Sequence, residues 1–142
     1  MAGTEGALAG RIACVDLETT GGHAARDRVI EAGIVLMEDG AVVEEYATLL
    51  NPGVRIPYGI QQFTGITDAM VADAPPFAAV AGAIAERLEG RLFVAHNARF
   101  DYGFLRSEFR RLDRRFRAPV LCTVRLSRAL TPAERGHSLD AV

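Results

Sequence analysis

The stretch Val15-Asp16-Leu17-Glu18-Thr19-Thr20-Gly21 places two carboxylates two residues apart at the end of an apolar run. Successive side chains of a strand point to opposite faces, so Asp16 and Glu18 share one face while Leu17 takes the other. Two neighbouring carboxylates repel, and each resists ionisation unless a cation sits between them. Oxygen-only donors suit Mg²⁺ or Mn²⁺ rather than zinc. A bare Asp-x-Glu also serves a solvated strand end beside a turn, so the pair acquires meaning only together with other residues.

A third acid lies in His96-Asn97-Ala98-Arg99-Phe100-Asp101-Tyr102-Gly103-Phe104-Leu105. At about 100° per residue, Phe100, Phe104, Leu105, Phe109, Leu112 and Phe116 fall within roughly half a circle. Asp101 lies in the middle of that arc, in the first turn of the expected helix. An acid aimed at a sheet needs a cation or a strong donor; a first-turn Asp also complements the helix dipole. Glu108 falls in the same arc, where Arg111 or Arg115 could neutralise it. Arg99, Arg106, Arg110 and Arg117 lie on the opposite face and read as solvated.

The elements that must position these acids follow from pattern and punctuation. Strands are expected over Arg11–Leu17, Arg28–Met37 and Ala41–Leu50, the last two joined at Glu38-Asp39-Gly40. Short helical pieces follow over 58–72, and Pro75-Pro76 opens a helix to about Leu88. A strand is expected over Arg91–Ala95, then a helix capped by Asn97 and running to about Arg115. A strand over Pro119–Cys122 and a helix to about Leu130 complete the order. Three meandering strands followed by alternating helices and strands specify a mixed α/β sheet, which receives ligands at the carboxyl ends of its strands.

The 142 residues are 49% hydrophobic and 24% charged, with a formal net charge of −2. That size supports one domain, and the composition excludes a disordered chain. No apolar run approaches the roughly 18 residues of a membrane span. Met1-Ala2-Gly3-Thr4-Glu5 lacks a basic stretch before an apolar one, so no secretory signal is expected. Cys14 and Cys122 lie in apolar runs without metal-ligand spacing and read as small buried residues of a reduced, cytoplasmic protein. Residues 1–90 carry five Arg against thirteen acids, and residues 91–142 carry eleven Arg against five, with no Lys anywhere. The near-neutral total therefore leaves a polyanionic partner open.

Five segments, VDLETTG, RVIEAG, Gln62-Phe63-Thr64-Gly65-Ile66-Thr67-Asp68, ADAPPF and HNARFDYGFL, occur in an order that resembles the DEDDh 3′→5′ exonuclease family. That family includes the proofreading epsilon subunit of bacterial DNA polymerase III. The resemblance implies a ribonuclease H-like mixed five-stranded sheet with helices on both faces. It places Asp16, Glu18 and Asp101 as catalytic ligands of two divalent ions, Mg²⁺ or Mn²⁺, in a two-metal hydrolysis that releases nucleoside 5′-monophosphates. It assigns Leu17, Thr19, Thr20 and Gly21 to the terminal nucleotide, Phe63, Thr64 and Gly65 to a segment covering the terminal base, and Phe100 to the aromatic beside it. His96 and Asn97 take supporting roles.

The family's third motif, His-x-x-x-x-Asp, is not in the sequence. His137-Ser138-Leu139-Asp140 has two residues between the His and the Asp and reads as the helix start that precedes that motif. The resemblance thus implies one exonuclease domain over 1–142, with its core from about Arg11 and its C-terminal part missing. The expected substrate is a single-stranded or frayed DNA 3′ end, with a polymerase or repair complex as partner and no membrane. RNA 3′ ends are the alternative substrate, and a catalytically incomplete docking module of a polymerase complex is the alternative role.

Overall fold

The computed structural model describes residues 10–130, and the segment containing His137 and Asp140 lies outside them. β1 (Arg11–Thr19) is the strand that carries the acid pair, and it is flanked on one side by β2 (Val29–Glu38) in antiparallel register. A two-residue turn, Asp39-Gly40, joins β2 to β3 (Ala41–Leu49), pairing Glu38 with Ala41. Both turn residues have positive φ, 51° and 84°, as the hairpin geometry that follows strand twist requires. Two short helices, α1 (Tyr58–Thr64) and α2 (Asp68–Val71), precede α3 (Phe77–Leu88). Then come β4 (Leu92–Ala95), α4 (Ala98–Arg111), β5 (Val120–Cys122) and α5 (Thr123–Leu130).

The five strands form one mixed sheet in the order β3-β2-β1-β4-β5, with β4 parallel to both β1 and β5. α4 is the crossover that a parallel β4–β5 pair needs. Alternation along β1 and β2 buries Ala13, Val15, Leu17, Ala32, Ile34 and Leu36 on one face. There they meet Phe77, Ala81, Ile84 and Leu88 of α3, and Phe104, Leu105 and Phe109 of α4. The opposite face carries Cys14, Asp16, Gly33 and Val35, which help line an open groove of about 540 Å³ reaching His96 and Thr123. Both cysteines are free and only half-buried, because Cys14 stands on this open face and Cys122 at the end of the edge strand β5. This corrects the expectation of fully buried thiols. Among the described residues no helix is long and apolar enough to cross a membrane.

Two expectations about α4 need correction. Asn97 occupies the cap position, yet its side chain makes no cap hydrogen bond, and its backbone is left-handed at φ 64°. The chain reverses there from β4 into the helix, and Asn is among the few side chains that tolerate this conformation. The helix also ends at Arg111, not near Arg115, because Asp113 at φ 55° breaks the spiral. The reversal brings Phe116 back against Phe109, ring centroids 5.3 Å apart and nearly parallel. Burying an aromatic ring outweighs one further helical turn.

Phe109 also meets Phe77 edge-on at 5.2 Å. Phe109→Ala is expected to lower unfolding stability by about 3–5 kcal/mol, measured by urea titration at constant m-value.

Candidate active site

β4 pairs with β1 only from Ile12↔Leu92 to Cys14↔Val94, whereas β1 runs on to Thr19. The N–H of Leu17 therefore lies past the last β4 pairing, and the chain that fills this place is the first turn of α4. Asp101 Oδ1 accepts the Leu17 N–H at 3.1 Å, in a buried contact spanning 84 residues of sequence. Leu17 itself sends its side chain into the core. This bond puts Asp101 beside the residue that separates Asp16 from Glu18.

The electrostatics follow from that placement. Asp101 is only 5% exposed. Burial raises its pKa most; the Leu17 N–H opposes this, and the charges of Asp16 and Glu18 add to the rise. The result is a carboxyl pushed up to about 7. Glu18 is also raised, first by burial, then by Asp16 and by Glu31 directly across the β1–β2 ladder. Neighbouring carboxylates thus add to burial in disfavouring ionisation of both Asp101 and Glu18. Among the described residues no group of three or more His, Cys, Asp or Glu side chains is placed to hold a metal ion as it stands. The three carboxylates nevertheless offer only oxygen donors, the kind a hard divalent cation takes.

The turn after β1 is held with its side chains occupied. Thr19 and Thr20 are buried. The Thr19 hydroxyl donates to Gly21 O at 2.7 Å, and the Thr20 hydroxyl donates to Asp27 Oδ1 at 3.3 Å. A Cβ on Gly21 would stand 2.5 Å from Asp27 Oδ2, so the close approach of that carboxylate requires glycine.

Phe63 stands on a separate small module. Ile30, Ile56, Ile66 and Val71 form its apolar centre. Asp68 accepts the Ile56 N–H at 2.8 Å and Gln61 Nε2 at 3.2 Å, and Gln61 Nε2 also donates to Ile56 O at 2.8 Å. Thr64 is spent inside the module: its hydroxyl donates to Ile60 O and accepts the Ile66 N–H. Gly65 ends α1 at φ 77°. Phe63 is left 84% exposed, without a ring partner among the described residues. Phe100 is half-buried on Phe104 at 4.7 Å. His96 Nδ1 pairs with the Thr123 hydroxyl at 2.6 Å, while Asn97 is exposed.

The structure thus puts Asp101 near enough to Asp16 and Glu18 for their charges to raise its pKa, and leaves Phe63 exposed on α1. Sequence reading missed Gln61 and Asp27. Asp27 was detectable only through the glycine beside it, because the contact that makes both necessary is tertiary.

The raised carboxyl of Asp101 has a definite pH signature. Between the ordinary carboxylate pKa near 4 and about 7, the folded chain binds a proton that the unfolded chain releases. Metal-free stability is therefore expected to fall as pH rises through that window, by up to a few kcal/mol. Asp101→Asn, which retains an acceptor for Leu17, should flatten the slope and raise Tm at pH 8. Thermal melts at pH 5 and pH 8 in chelator check this.

A family model described as RNase_T exonuclease matches residues 13–142. The 3′-5′ exonuclease DinG of Bacillus subtilis is 39% identical over 133 residues, covering 91% of this chain and 14% of the relative. A DNA polymerase III subunit epsilon-like protein of Rhodobacter capsulatus is 42% identical, covering 89% and 18%. A PolC-type DNA polymerase III of Clostridium perfringens is 37% identical, covering 89% and 9%. The chain therefore spans less than a fifth of each of these relatives. Among solved structures, exonuclease X in complex with 5′ overhanging duplex DNA superposes with a TM-score of 0.72 at 28% identity, over 92% of this chain and 69% of that one. Product-bound exonuclease I gives 0.79 at 22% identity, over 88% and 32%, a likeness of fold. The sheet order, the site of the three acids and these matches agree: the chain belongs to the RNase_T exonuclease family and is homologous to 3′→5′ exonucleases.

Proposed function

We propose that the exonuclease domain to which this chain contributes Asp16, Glu18 and Asp101 hydrolyses the terminal phosphodiester bond at the 3′ end of DNA, releasing nucleoside 5′-monophosphates, with the general base of the third motif not supplied by residues 1–142. The observation that carries the reading is the buried Asp101, bonded to the Leu17 N–H between Asp16 and Glu18 and raised in pKa by the charges of both. The oxygens of the three acids would hold two divalent ions, Mg²⁺ or Mn²⁺. When bound, these ions supply Lewis-acid charge to the attacking water and to the leaving 3′ oxygen. Asp101 would present its carboxylate in a fixed direction, since Leu17 restrains one of its oxygens. The likeness to polymerase III and DinG sequences supports a setting in proofreading or repair within a larger assembly.

The rest of the site would bind the end of the strand. The Thr19–Gly21 turn, with the Thr19 and Thr20 hydroxyls and the Asp27 carboxylate occupied in holding its shape, would meet the terminal nucleotide through its backbone. Phe63, unpartnered and outward, would stack on the terminal base, with Phe100 as the second aromatic. Stacking tolerates every base, as a proofreader requires. His96 and Asn97 border the site from the β4–α4 turn in a supporting role.

Two outcomes test this reading on the full chain. A 3′-labelled single strand with Mg²⁺ or Mn²⁺ should yield labelled mononucleotide; chelator should stop it, and Asp16→Ala should reduce it by roughly 10²–10⁴-fold or more. Activity that survives Asp16→Ala would overturn the assignment, and a matched RNA strand degraded faster would move the substrate to RNA. Phe63→Ala should weaken retention of the strand end by about 1–3 kcal/mol, seen as a raised KM with kcat largely kept.

A further inference from the structure

Nine residues, 20–28, connect β1 to β2 where two would suffice for a hairpin. A loop of that length needs many restraints to keep one shape. Some are internal. The Thr20 N–H donates to Arg28 O at 2.8 Å, the Arg28 N–H donates to the Thr20 hydroxyl at 3.0 Å, and the His23 N–H donates to Asp27 Oδ2 at 2.9 Å.

The others come from the second half of α4. The Ser107 hydroxyl donates to Ala24 O at 2.6 Å. One terminal nitrogen of Arg111 faces three loop carbonyls, those of Ala24, Ala25 and Asp27, at 3.4, 3.2 and 3.3 Å. Its other terminal nitrogen holds Glu108 Oε1 at 2.6 Å. Glu108, 1% exposed, also accepts Arg28 Nε at 2.7 Å and the Val29 N–H at 3.4 Å.

A buried carboxylate between two guanidiniums is a poor way to gain stability, since an apolar side chain of similar volume often serves as well. It is a good way to fix direction, because each donor accepts only a narrow geometry. We propose that Glu108, Arg111 and Arg28 are positioning residues that shape the Thr20–Gly22 turn to receive the 3′-terminal nucleotide. The role rests on the exonuclease reading above. One helix then sets both halves of the site: Asp101 stands in its first turn and Arg111 at its end, about 15 Å away at 1.5 Å per residue. The spacing between the acids and the nucleotide grip is thereby built into a rigid rod.

The test is calorimetric titration of the full chain with thymidine 5′-monophosphate in Mg²⁺, alongside titration with Mg²⁺ alone and amide exchange over residues 20–28. Arg111→Ala should weaken nucleotide binding roughly tenfold, leave Mg²⁺ affinity within about twofold, and speed exchange in 20–28 while α3 stays protected. Arg111→Lys, which keeps a cation beside Glu108 but loses the planar fork, should recover part of the loss. Ser107→Ala, which leaves the buried charges intact, should weaken binding to a smaller degree. Unchanged nucleotide affinity in Arg111→Ala, or equal loss of nucleotide and metal affinity with exchange raised throughout, overturns the positioning role. A wild-type chain that binds Mg²⁺ but no nucleotide overturns the exonuclease reading, and this role with it.

Discussion

The hydrogen bond from the Leu17 N–H to Asp101 Oδ1 joins a strand and a helix that are 84 residues apart in sequence. It exists because β4 is short. The β4–β1 pairing ends at Cys14, and a strand amide beyond it still needs an acceptor. The left-handed backbone at Asn97 turns the chain so that α4 begins at that place. Once Asp101 is there, burial and two neighbouring carboxylates oppose its ionisation more strongly than one N–H supports it. Asp101 is therefore held in a charge arrangement that disfavours its ionised form.

α4 carries two buried acids, and the contrast between them separates architecture from chemistry. Glu108 is neutralised within the protein by Arg28 and Arg111, so its charge is already accounted for. Asp101 has no such partner among the described residues; the charges that act on it are those of Asp16 and Glu18. The helical pattern alone places both on the same apolar arc and treats them alike. What distinguishes them is which loop or strand lies opposite: for Glu108 the loop bearing Arg28, and for Asp101 the bare edge of β1.

Phe63 presents the complementary situation on the other side of the chemistry. A large apolar ring at 84% exposure gives up the burial that normally stabilises such a residue. A small apolar cluster and the Gln61–Asp68–Ile56 hydrogen bonds hold the two short helices together without it. The module is therefore stable with its aromatic face turned outward, as a surface for a planar ligand requires. The arginines at 99, 106 and 110 are exposed on the face of α4 opposite Asp101, as the helical wheel expects, while Arg117, also exposed, lies beyond the end of the helix.

Local pattern determined a good deal. Apolar runs, Gly and Pro punctuation and the 3.6-residue period specified every strand and helix to within a few residues, and alternation along β1 put Asp16 and Glu18 on one face. The same pattern put Asp101 on the buried arc of its helix, but a metal role for the three acids came from the ordered family segments and not from periodicity. The left-handed Asn97, the end of α4 at Arg111 and the choice of Arg28 as the second partner of Glu108 were not legible. Each is set by a contact between segments far apart in sequence: β4 against β1, Phe116 under Phe109, and the β1–β2 loop against α4. Periodicity reports which face of an element is buried. Only the packed chain decides what that face meets, and here that decision separates an acid neutralised by two arginines from one whose carboxyl is raised by burial and neighbouring acids.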